Sequence, residues 1–218
     1  MFGRLYSLLK KHHTLSLFST LRLHKVQSMM NLRQVLEAGA AAAFAIANPE
    51  THHFVDVDEF GIMDPAQKLA GKRYKWLDEK YPTKSDWIKS TKDKINTSAA
   101  HANIISGDST FKITSDQSAV SAPFFDTEDE YFVKSDLWLI SSVAITIMDF
   151  FYGVAGDVAR TDRSVMDFRP DFTETIQGLA KENSHLLAEI QSSERFQKAM
   201  QKMAQRATAK SNQVPHGK

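Results

Sequence analysis

Two adjacent histidines and the acids that follow them, His52, His53, Asp56, Asp58 and Glu59, are the densest set of metal-ligating side chains in this sequence. Imidazole with carboxylate suits zinc or iron. The spacing does not suit a site: adjacent His side chains diverge, no second ligand group stands at a fixed offset, and HExxH and EF-hand patterns are missing. Residues 50–65 read instead as an acidic loop facing solvent or a partner. His101 and His185 fall inside helical patterns, away from any recognisable carboxylate pairing, so neither reads as a general base.

The chain has no cysteine. That excludes disulfides, Cys-ligated zinc, Cys-held iron–sulfur clusters and thiol nucleophiles, because each needs a thiolate. Its 9 glycines are scattered, with no GxGxxG, GxxxxGK[ST] or GxSxG pattern. The expectation is a chain that is not an enzyme, with no catalytic, cofactor-binding or metal residue, no cofactor and no small-molecule substrate.

The one remaining pointed residue is Asp149. It is the single charge in LWLISSVAITIMDFFYGVAG, residues 137–156. As a helix at about 1.5 Å per residue, this stretch reaches roughly 30 Å, the thickness of a hydrocarbon core. We read it as a transmembrane helix. Its Ser and Thr can bond back to helix carbonyls, whereas a carboxylate at that depth costs about 3 kcal/mol. Asp149 should therefore face protein or water, and Asp149, Ser141, Ser142, Gly153 and Gly156 are the predicted membrane-helix packing surface. With no second titratable group in the stretch, a contact is expected rather than a proton relay. Arg160, Arg163 and Arg169 follow the span, which by the positive-inside rule places its C-terminal end in the matrix.

The elements that must position this span divide the chain as follows. Residues 1–30 hold five Lys or Arg, three His and no acid, with apolar groups at helical spacing around Phe2, Leu5, Tyr6, Leu8 and Leu9. A cationic, acid-free amphipathic leader reads as mitochondrial targeting. Residues 31–105 are expected to be helical: an Ala-rich helix over 31–47 capped by Asn31 and stopped before Pro49, the acidic loop, and a basic helical hairpin. In that hairpin Pro82 ends the first helix, and Ser85 caps a second carrying Ile88, Ile95, Ala99 and Ala102. Basic residues interleaved with aromatics there carry no RNP signature, and no nucleic-acid partner is expected.

Residues 106–125 form a polar linker with one short strand near 110–114. A helix over 126–160 contains the span, with Thr127 and Glu130 as its capping box. An amphipathic C-terminal helix over 171–209, with Thr173 as cap, then carries Ile176, Leu179, Leu186, Ile190 and Met200 as partner-helix packing residues. Polar groups at Ser193 and Gln197 degrade its seam below that of a free-standing coiled coil. A tail over 210–218 completes the chain.

The whole chain is nearly neutral, 27 Lys and Arg against 26 Asp and Glu. Without its leader it holds 22 basic against 26 acidic residues, a net of about −4. The fold class expected is all-α, an elongated helical protein with one transmembrane helix and a long C-terminal amphipathic helix. The function expected is a non-catalytic accessory subunit of a mitochondrial inner-membrane respiratory-chain complex or ATP synthase. Its partners would be the other subunits and membrane lipids. The alternatives are an assembly or import scaffold factor of that membrane, and a soluble matrix protein such as a ribosomal subunit.

Overall fold

The computed structural model of the chain describes residues 1–66, 69–97, 112–113, 120–121, 130–161 and 170–211. These residues are predominantly helical, and the class is all-α. In chain order they form α1 (Phe2–Leu21), α2 (Lys25–Ala47), a 3₁₀ turn (Thr51–His53), β1 (Val55–Val57), β2 (Met63–Pro65), α3 (Leu69–Lys80) and α4 (Pro82–Ile95). Then come β3 (Lys112–Ile113), β4 (Val120–Ser121), α5 (Glu130–Thr161), α6 (Pro170–Ser192) and α7 (Glu194–Ser211).

The acid-free N-terminal segment is part of the fold. α1 and α2 make an antiparallel pair, and α5 packs against both of them and against α6. The inner face of α1 buries Leu9, Ser16 and Thr20. Ser16 Oγ donates to the Ser28 carbonyl at 3.0 Å and Ser28 Oγ to the Ser16 carbonyl at 2.9 Å, while the Thr20 and Ser28 hydroxyls lie 2.6 Å apart. Small hydroxylated residues let the two backbones approach while satisfying each other's buried polar groups.

The turn between α1 and α2 contains neither Gly nor Pro. Leu23 stands at φ 58, in the left-handed region. Its N–H donates to the Thr20 carbonyl at 2.9 Å and that of His24 to the Ser19 carbonyl at 2.8 Å. That is a Schellman closure with leucine where glycine is usual. The second helix consequently starts at Lys25, earlier than the Asn31 cap expected from sequence. Asn31 lies inside α2, where its amide donates to the Gln27 carbonyl and its Oδ1 accepts from His12 Nδ1. The helix ends at Ala47, one residue before Asn48 and Pro49.

The core is built where α2 meets α5. Leu32, Val35 and Leu36 of α2 pack with Ile140, Val143, Ile147, Phe150 and Val154 of α5, all buried. Those α5 positions recur every three to four residues, the period of one helix face. Gly39 allows the closest approach: a Cβ built there would lie 2.8 Å from Ile147 Cδ1. Leu77 of α3 and Ile88 and Ile95 of α4 close one side of this core.

Local chemistry explains the smaller elements. Pro82 both ends α3 and opens α4 at its first turn, so Ser85 lies inside that helix and donates to Asp78 rather than capping. The acidic loop contains a ribbon in which β1 pairs antiparallel with β2, Val55 opposite Pro65. Its turn is made by Gly61 at φ +78 and by Asp58, whose Oδ1 accepts from the Phe60 and Ile62 N–H groups. In the linker Lys112 lies opposite Ser121 and Ile113 opposite Val120.

The C-terminal pattern forms two helices rather than one. Ser193 interrupts it, with its hydroxyl donating to the Ile190 carbonyl and accepting from the Phe196 N–H. Helix α6 already starts at Pro170, so Thr173 lies inside its first turn. The Thr127 cap, the remainder of 126–129, His101, Ala99, Ala102 and the arginines at 163 and 169 lie outside the described residues.

Candidate functional site

Three helices converge on a cleft of about 270 Å³ lined by His13, Ser141, Ala144, Ile145, Leu179, Glu182, Asn183 and Leu186. His13 arrives from the inner face of α1, one turn from Leu9 and Ser16. Ser141, Ala144 and Ile145 line one side of α5. Leu179, Glu182, Asn183 and Leu186 form the facing stripe of α6, spaced three to four residues apart.

The polar groups of this cleft are mostly acceptors. Burial pushes the His13 imidazole below its ordinary 6.5, against a hydrogen bond to the Ile140 backbone that pulls it up. The ring is neutral at pH 7, and its Nε2 is buried with no hydrogen-bond partner among the described residues. Asn183 donates to Ser142 Oγ at 2.8 Å, and its Oδ1 is likewise buried without a partner there. Ser141 donates to the Leu137 carbonyl of its own helix at 2.9 Å, so its proton is already committed and the hydroxyl is not an activated nucleophile. At this volume the cleft is smaller than the usual 300–1,000 Å³ of cofactor sites. It suits water or a small hydrogen-bond donor.

A second polar cluster ties α2 to α3 and α4. Glu37 accepts hydrogen bonds from Arg73 Nη2 and Lys92 Nζ, and Lys92 donates to Tyr74 Oη at 2.7 Å. Burial pushes the Glu37 carboxyl up, but the Lys92 hydrogen bond and the charges of Arg73, Lys92 and Arg33 outweigh it and hold the group below its ordinary 4.5. This cluster is a joint between helices: Glu37 of α2 is held by Arg73 and Tyr74 of α3 and by Lys92 of α4.

The predicted packing residues separate into distinct environments. Asp149 is paired with Lys84 of α4 at 2.5 Å, outside the cleft. Ser141 and Ser142 of α5 face α6, where Leu179 and Leu186 line the same cleft and Asn183 bonds Ser142, so two sets derived from different segments meet here. Gly153 and Gly156 meet nothing within 4 Å of a built Cβ, and the tight helix approach is at Gly39 instead. Ile190 is buried and Ile176 half-buried, while Met200 lies exposed on α7.

His13, Glu37 and Lys84 were not singled out from the sequence. For His13 the only signal was its place on the same helical face as Leu9 and Ser16. Among the described residues no three His, Asp or Glu converge on one point that could hold a metal ion. His53 pairs with Glu50 at 3.4 Å and its ring lies against His52. No protein-family model, no curated protein and no solved structure matches this chain.

Proposed function

We propose that this chain is a non-catalytic accessory subunit of a mitochondrial inner-membrane assembly, of the respiratory-chain or ATP-synthase kind, which it stabilises by helix packing. The observation that carries this reading is α1, which is apolar on both sides. Its inner face is buried on α2, whereas Leu8, Leu15 and Phe18 are 44%, 42% and 54% exposed on the outer side. Exposed apolar side chains along one helix face, set among Arg4 and Lys11, are what a second protein covers. α5, long and apolar enough to cross a bilayer, supports the membrane part of the reading, and the acid-free leader supports the address. In this reading the leader stays attached after import, because its inner face holds core residues.

The test is native-gel separation of a C-terminally tagged chain with mass spectrometry of the band. Co-migration with a large inner-membrane assembly is the expected result, and migration only as a free monomer would overturn it. A second reading, a soluble helical bundle with α5 as its core helix, is favoured by one observation. Among the large apolar side chains of α5 only Tyr152 is exposed, at 43%. Release of the chain by alkaline carbonate would favour that second reading.

A further inference from the structure

We propose that α7 is a peripheral membrane-binding helix that docks on an anionic phospholipid surface. The inference does not depend on whether α5 crosses a bilayer. From Arg195 to Lys218 the sequence carries six Lys or Arg and no acid. On a helical projection Phe196, Met200, Met203 and Ala207 form one narrow apolar stripe, and Arg195, Lys202 and Arg206 line one flank of it. This pattern, with cationic side chains bordering an apolar stripe, suits a helix lying in a headgroup layer.

The tertiary structure leaves the two methionines of that stripe outward and Phe196 half-buried. Every described side chain from Gln197 to Arg206 is exposed, with Met200 at 48% and Met203 at 64%. The start of the helix is nevertheless fixed. Ser193 caps it through the Phe196 N–H. The Arg195 guanidinium sits over the Phe132 ring, 4.3 Å from its centroid, and 5.8 Å from that of Tyr131. α7 is thus held at the N-terminal end of α5, where Lys25 pairs with Asp136 and Lys134 with Glu130 and Glu189, so the cationic flank is supplied by α7 itself.

Charge selects the occupant. A second copy would bring one α7 cationic flank against another, which like-charge repulsion opposes. An extended acidic surface neutralises the flank along its whole length, and each cation adds about five-fold to partitioning onto anionic lipid. Flexible methionines adapt to an acyl boundary that has no fixed shape.

Because the chain has no cysteine, a Met200→Cys variant accepts one environment-sensitive fluorophore at a single position. The full-length labelled chain is mixed with vesicles of phosphatidylcholine alone, or of phosphatidylcholine with phosphatidylglycerol. A blue-shifted, brighter emission on the mixed vesicles only is expected, fading as salt screens the charges. In the Lys202→Glu/Arg206→Glu background the apparent affinity should fall by about 25-fold or more, with helix content by circular dichroism unchanged. Absence of a shift, or an equal shift on phosphatidylcholine alone, overturns the proposal. So does a concentration-dependent shift without lipid, which would identify a second copy. A shift produced only by an acidic protein overturns it in favour of that partner.

Discussion

The Lys84 ammonium stands 2.5 Å from the Asp149 carboxylate, joining α4 to the one charged position in the apolar stretch of α5. The pair is far from dry, at 32% and 59% side-chain exposure. An exposed pair contributes about 0–1 kcal/mol. In aqueous buffer a Lys84→Met/Asp149→Leu chain should therefore lose under about 1 kcal/mol by denaturant titration. A loss several times larger would show that the pair is shielded from solvent and contributes more than an exposed pair does.

Gly39 leaves no room for a side chain against Ile147. Overpacking of a core contact costs about 1–3 kcal/mol. Gly39→Leu is expected to destabilise the bundle by that amount. Introducing Ile147→Ala alongside it should recover part of the loss, giving a coupling a double-mutant cycle can read. Strict additivity would mean the two residues do not meet.

Leu23 holds the left-handed position that closes α1. A branched residue there stores roughly 1 kcal/mol or more, and glycine relieves it at some entropic cost in the unfolded chain. Leu23→Gly should raise stability by about 0.5–1 kcal/mol. Leu23→Val should lower it, and thermal unfolding of the two variants checks the sign.

Acid should weaken the fold in two windows. His13 has a folded value below its ordinary 6.5, so the unfolded chain takes up the proton first and stability falls as pH drops below that value. Glu37 is held below 4.5, so its contribution is present above that pH and is lost as pH falls through the depressed value. Denaturant midpoints measured against pH should lose the upper window in His13→Gln and the lower one in Glu37→Gln. At neutral pH Glu37→Gln should also cost roughly 2–4 kcal/mol, because the buried Arg73 and the half-buried Lys92 keep their charges without a carboxylate. An unchanged pH profile in either variant would remove that residue from the account.

Much of the local structure was legible because it follows from periodicity and capping chemistry. The apolar face of α5, the stop at Ala47, the break at Pro82 and the C-terminal amphipathic pattern each follow from a few neighbouring residues. The turn at Leu23 was not legible, since the left-handed closure that usually advertises itself with glycine is made by leucine. The break at Ser193 was visible only as a weak seam. The ribbon at 55–65 was hidden among acids that read as a loop, although Asp58 and Gly61 are the residues that make its turn.

What the sequence determined by itself is composition and order along the chain: an acid-free N-terminal segment, one apolar helix, an all-α class and a cationic end. Those properties reside in runs of neighbours, and local propensity and charge are sufficient to specify them. Only the tertiary structure decided that the N-terminal helix packs into the bundle, that Lys84 answers Asp149, and that His13 and Asn183 face one cleft. Those pairings join residues 65 positions apart in the ion pair and still farther apart in the cleft. They depend on which helix faces pack together, and no short window of sequence carries that information.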